Sequence, residues 1–103
     1  MNEIDIVQVI PVGHENAVTG RWLAKMLGIK QRDVRRLISK ARKDHVIINL
    51  QDGEGYFLPD TNETFHVHRW FNQESSRLKE LSESLRGARK FLEDVGGIED
   101  VPQ

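Results

Sequence analysis

Nine of the fifteen Lys and Arg residues of this 103-residue chain fall between Gly20 and His45, in the run GRWLAKMLGIKQRDVRRLISKARKDH, which holds only two Asp. Guanidinium and ammonium groups at this density can do one kind of chemistry well: they donate hydrogen bonds to phosphate oxygens and to the acceptor edges of bases. The charge is segregated along the chain. Residues 1–19 sum to minus three, 20–45 to plus seven and 46–103 to minus five, leaving a net charge of minus one. A nearly neutral total therefore conceals a local patch able to attract a polyanion.

Other chemistries find little support. The chain has no cysteine, hence no disulfide framework, thiolate nucleophile or Cys-based zinc site, a composition that fits a reducing cytoplasm. His66 and His68 invite a metal reading, yet residues two apart on a helix diverge by about 200° and cannot chelate one ion. No Gly-rich phosphate loop or nucleophile elbow is present, and the acids are scattered. The expectation is a protein that is not an enzyme and carries no metal or cofactor. Its composition, 38% hydrophobic and 30% charged, suits one soluble domain with an appended helix. The N-terminus MNEIDIVQVI has two acids and no base beside its apolar stretch, unlike a secretory signal, so a cytoplasmic location without membrane contact is expected.

The basic residues need elements to hold them. Leu23, Ala24, Leu27, Gly28, Ile29, Val34 and Leu37 fall at the offsets of a helix-turn-helix. Ala24 is small where the second helix crosses above it, Gly28 permits a left-handed turn, and the branched residues fill the wedge between the helices. Around a helix beginning near Gln31, Val34, Leu37, Ile38 and Ala41 share the core side, whereas Arg32, Arg36, Ser39 and Lys43 point away from it. The arginine fork matches guanine O6 and N7 together, making Arg32 and Arg36 candidates for base contacts, with Ser39 a lesser one. Arg21, Lys25, Lys30, Gln31, Arg35, Lys40, Arg42 and Lys43 are candidates for phosphate contacts.

After this segment, VIINLQDGEGYFLP places two runs rich in β-branched and aromatic residues around Asp52-Gly53-Glu54-Gly55, the pattern of a β-hairpin. Ala17-Val18-Thr19 can add a short edge strand, and Thr19 can cap the helix that follows. Upstream, Ile4, Val7 and Ile10 predict a short first helix ending at Pro11, although the alternation in IDIVQVI also fits a strand. Gly28, the helix after it and the hairpin closing in GEGYFLP resemble the winged helix-turn-helix of the biotin-repressor type, and the whole arrangement is similar to small winged-helix proteins of phages and related mobile elements. The resemblance implies a DNA-reading domain of bacterial or phage origin. Two features depart from it. Glu54 stands where a wing would present a base to phosphate, with Asp52 beside it, so no contact is assigned to the wing beyond the N–H groups of Gly53 and Gly55. Lys30 replaces a Ser or Thr helix cap, a loss of about 1 kcal/mol that Asp33 in the first turn offsets in part.

The C-terminal third reads as one long helix. Asp60 with Glu63 forms a capping-box pattern, and the helix can then run to about Val95. Phe71, Glu74, Leu78, Leu81, Leu85, Ala88, Leu92 and Val95 follow a three-four spacing, one seam over roughly 48 Å of helix. Its N-terminal part, with Phe65, Trp70 and Phe71, is expected to cover the hairpin and first helix, while Phe71 and Leu78 through Val95 form a dimerisation surface. Glu74 has no explanation at this level.

The predicted architecture is therefore α+β, mostly α: a winged helix-turn-helix of three helices and a β-hairpin wing over 1–59, a long C-terminal dimerisation helix over 60–95, and a flexible acidic tail over 96–103. The predicted function is sequence-specific double-stranded DNA binding by a homodimer, as a transcriptional regulator or replication accessory factor, on half-sites about 34 Å apart or a multiple of it. The alternative is an adaptor or inhibitor whose C-terminal helix docks on a host or phage protein.

Overall fold

The computed structural model describes residues 4–96, and the basic segment in it forms two helices, α1 (Gly20–Leu27) and α2 (Gln31–Ala41). Thr19 starts α1 by accepting a hydrogen bond from the Trp22 amide at its side-chain oxygen, 3.0 Å away, which satisfies one of the orphan donors of the first turn. Gly28 ends it in the left-handed conformation (φ 69°, ψ 33°), and Ile29 N–H closes the turn on Ala24 O at 3.0 Å. Lys30 offers no side-chain cap to α2. Asp33 in the first turn remains the one favourable charge at that positive helix end.

The core is built where these helices meet. Leu23 and Ala24 of α1 pack with Val34, Leu37 and Ile38 of α2, and Ile6, Ile10 and Ile47 complete the buried cluster. A second cluster of Ile48, Leu50 and Phe57 is flanked by Ala17, Val67 and Trp70.

Three expectations about the fold are corrected. First, the described residues contain no β-strand and no sheet, so the α+β class with a hairpin wing gives way to a helical chain carrying an irregular segment over 46–59. Isolated bridges replace the hairpin: Ile48 pairs with Phe57, Val18 with Tyr56 and Val12 with Leu58. The expected edge strand over Ala17–Thr19 likewise amounts to the one bridge at Val18. Local bonds divert the rest of the ladder. Asn49 Oδ1 accepts from Gln51 N–H, Gln51 adopts a positive φ of 63°, and Asp52 Oδ1 accepts from Glu54 N–H. Side chains of Asn and Asp compete in this way for the amides that a ladder would use.

Second, the expected first helix is a single 3₁₀ turn, Ile6–Gln8, followed by another at His14–Asn16. Pro11 disfavours helical backbone at Ile10, and the β-branched Ile and Val residues here propagate a helix poorly. Ile6 and Ile10 are buried nonetheless.

Third, the C-terminal helix begins later than expected and is interrupted. It consists of α3 (Thr64–Ser84) and α4 (Arg86–Asp94), with Leu85 between them. Ser84 Oγ donates to Leu81 O at 2.8 Å, a back-bond of the kind that bends helices. Half of the capping box forms: Glu63 Oε1 accepts from Asp60 N–H at 2.9 Å, whereas the Asp60 carboxylate turns to Thr61 N–H. The chain divides into two compact units, one through Phe71 and one from Asn72. Of the expected tail, residues 97–103 lie outside those described.

Candidate nucleic-acid interface

The helical projection of α2 places its side chains as the apolar spacing requires. Val34, Leu37 and Ile38 are buried and Arg32, Arg35, Arg36, Ser39 and Lys40 are exposed, whereas Lys43, expected on the same helix, lies exposed in the turn after its end at Ala41. The base-contact candidates Arg32, Arg36 and Ser39 thus share one solvent face. Arg36 Nε lies 3.9 Å from Asp33 Oδ1, one turn earlier, with its side chain 65% exposed. A contact this long and this open to solvent leaves the guanidinium able to exchange its partner.

Among the phosphate-contact candidates, Arg21 and Lys25 are exposed on α1, Lys30 in the turn and Gln31 at the start of α2. Gln31 and Arg35 line a cleft of about 300 Å³ together with Thr19, Gly20, Asn49, Gln51, Gly53, Gly55 and Tyr56. This cleft joins the N-terminal ends of α1 and α2 to the irregular segment. Its lining of amides, hydroxyls and one guanidinium suits a polar, anionic surface.

Arg42 sits differently from its neighbours. It is half-buried, its Nε donates to Ile47 O at 2.9 Å, and its guanidinium lies 5.1 Å from the Trp70 ring centroid and 6.0 Å from that of Tyr56. The side chain ties the end of α2 to the Ile47 backbone and two aromatic rings. Composition placed Arg42 with the surface cations because position on a helix cannot report a partner that arrives from residues 47, 56 and 70.

The sequence reading also missed a polar cluster. His14 Nε2 hydrogen-bonds Asp52 Oδ2 at 2.8 Å, and the His14 backbone N–H donates to Glu63 Oε2 at 3.1 Å. The His14 and His66 rings lie 4.6 Å apart, and both contact Phe57. The Glu54 amide, reinforced by His14, holds the Asp52 carboxyl below its ordinary range. The Asp60 amide, reinforced by the His14 amide, does the same for Glu63. Together these bonds staple the 3₁₀ turn at His14 to the 51–55 loop and to the start of α3. His66 is buried here and its Nδ1 meets no partner among the described residues, whereas His68 is exposed. No group of three His, Cys, Asp or Glu residues able to hold a metal occurs among the described residues. The sequence carries separate signals for its members, Glu63 in a capping-box pattern, His66 near a helix start and Asp52 in a turn, but nothing local that joins them to His14.

The aromatic residues at the start of α3 also exchange roles. Trp70 and Val67 pack against the Ile48–Leu50–Phe57 cluster, but Phe65 and Phe71 are 62% and 63% exposed. Of the seam, Leu78, Leu81, Leu85, Ala88 and Val95 are exposed and Leu92 is half-buried. Glu74 finds a partner in Arg77, 3.2 Å away. No described helix is long and apolar enough to cross a membrane. Compared with known proteins, the chain matches no family model, no curated sequence and no solved structure.

Proposed function

We propose that the chain is a sequence-specific double-stranded DNA-binding protein, acting as a homodimer in transcriptional regulation or replication, with α2 entering the major groove. The observation that carries this reading is the division of α2 into a buried apolar side and an exposed side bearing Arg32, Arg35, Arg36 and Ser39, with Lys43 exposed just past its C-terminal end. A helix of this width fits the groove, and its arginines can meet base edges once they are held outward. Arg21, Lys25, Lys30, Gln31, Arg35, Lys40 and Lys43 would supply salt-sensitive affinity through phosphates. The reading needs no wing: affinity rests on the two helices and on pairing of two copies through the seam of Leu78, Leu81, Leu85, Ala88, Leu92 and Val95. A cytoplasmic protein of bacterial or phage origin fits this role.

Selection of bound duplexes from a random pool, followed by anisotropy titration at two salt concentrations, tests the proposal. The selected site is expected to be palindromic. Arg32→Ala and Arg36→Ala are each expected to cost about 1–3 kcal/mol on that site and to relax the base preference beneath them. Binding that is absent at low salt, or that ignores both substitutions, would transfer the assignment to a second reading. In that reading the chain is an adaptor that docks a partner protein through its C-terminal helix. The acidic Asp52 and Glu54 and the exposed apolar seam favour it.

A further inference from the structure

Resting on the homodimer reading above, we infer that the seam from Phe71 to Val95 pairs with its own copy in the inverted, antiparallel sense, and that Phe91 and Arg77 belong to the interface. Leu78, Leu81, Leu85, Phe91 and Val95 are 69%, 58%, 51%, 66% and 62% exposed. Together they leave on the order of 500 Å² of apolar surface in water, the upper range for a monomer. Two such faces brought together approach the area of a specific interface.

The order of residues selects the direction. Written as a heptad, Phe71, Leu78, Leu85 and Leu92 occupy the a positions, and Glu74, Leu81, Ala88 and Val95 the d positions. A parallel pair sets like against like. Glu74 would face Glu74 of the second copy, and Ala88 would face Ala88 across an unfilled gap. Inversion sets a against d. Leu78 then meets the second copy's Ala88, Leu81 meets Leu85, Glu74 meets Leu92 and Phe71 meets Val95. Leu78 opposes the small Ala88 and Phe71 the smaller Val95, and the two Glu74 carboxylates lie at opposite ends. Antiparallel registers differ by seven residues, and this one engages all eight seam positions.

Two features outside the seam fit the same register. Phe91 sits at a g position, where a parallel partner would offer Gly96, which has no side chain to cover the ring. In the inverted pair the g positions face each other, and Phe91 meets Arg77 of the second copy. Glu74 Oε2 lies 3.2 Å from Arg77 Nη1, so the guanidinium is already held beside the seam where a ring would stack upon it. The interruption at Leu85 leaves the run connected, since Leu85 N–H donates to Leu81 O at 3.2 Å and Arg89 N–H to Leu85 O at 3.0 Å. The twofold axis passes close to Ser82 and Ser84.

The absence of cysteine makes the direction directly measurable. Leu78→Cys and Ala88→Cys, prepared separately, mixed and treated with a short bis-maleimide, are expected to give the mixed 78–88 product at least fivefold over either homodimer, identified by mass spectrometry. A second variant, Ser82→Cys, changes only the rim and is expected to crosslink to itself, because e positions adjoin each other in an antiparallel pair and lie on opposite sides of a parallel one. Predominant 78–78 and 88–88 products without an 82–82 product would overturn the inference. So would a wild-type chain that sediments as a monomer at tens of micromolar. A correct crosslinking pattern in a chain that ignores DNA would sink the DNA reading alone, and DNA binding by a parallel pair would sink this one alone.

Discussion

Gly55→Ala should be among the most damaging single-methyl changes in the chain, and its cost can be worked out from the backbone. Gly55 adopts φ +103°, outside the left-handed well that other residues tolerate, so a side chain there costs about 1–3 kcal/mol in conformation alone. The added Cβ would lie 2.1 Å from Val18 O and 2.7 Å from Thr19 N. Both are backbone atoms, with no flexible side chain to yield. Relief requires opening the Val18–Tyr56 bridge, whose two hydrogen bonds measure 3.0 and 2.7 Å, each worth about 1 kcal/mol net. The total is about 3–5 kcal/mol, a large share of the roughly 5–15 kcal/mol that stabilises a domain. Gly28→Ala and Gly53→Ala are the controls: φ is +69° and +85°, and nothing lies within 4 Å of either added Cβ. These should cost about 1–2 kcal/mol. Urea titration followed by circular dichroism, with Trp22 and Trp70 fluorescence as a second probe, measures all three. If Gly55→Ala unfolds within 1 kcal/mol of Gly28→Ala, the backbone crowding inferred here is wrong. The irregular segment would then not be what holds the Thr19 cap and the start of α1 in place.

Arg42→Ala is expected to lower stability by about 2 kcal/mol, from one hydrogen bond to Ile47 O and two ring contacts, while leaving the salt dependence of DNA binding unchanged. Arg35→Ala should do the reverse, keeping stability within about 0.5 kcal/mol and lowering the slope of log affinity against log salt by about one; equal slopes for the two variants would refute the division. Stability should also fall in acid. Asp52 and Glu63 both have carboxyls held below their ordinary range, so their contribution is full above the unfolded-state values, roughly 3.9 and 4.3, and is lost as pH drops through the depressed folded-state values. Asp52→Asn with Glu63→Gln should flatten that acid limb, and a limb unchanged in the double variant would show that other carboxylates set it.

The sequence by itself determined what depends on neighbours a few residues away. The spacing of Leu23, Ala24, Gly28, Val34 and Leu37 sufficed to predict two helices and a left-handed turn, because 3.6-residue periodicity and the steric freedom of glycine are local properties. The same periodicity placed Arg32, Arg36 and Ser39 on the exposed face of α2, and the cap at Thr19 needed only the amide three residues on. The seam from Leu78 to Val95 was equally legible as a pattern.

Tertiary structure decided whatever required partners distant in sequence. The segment VIINLQDGEGYFLP has strand-forming residues, but Tyr56 and Leu58 bond toward Val18 and Pro11 while Asn49 and Asp52 claim nearby amides, and no ladder survives the competition. Arg42 looked like a surface cation until Ile47, Tyr56 and Trp70 converged on it. His14 joined Asp52 and Glu63 across 38 and 49 residues of chain. Propensity and periodicity decay within one or two turns, whereas a buried hydrogen bond or a ring stack depends on which segments the core brings together, and that is settled only when the whole chain has packed.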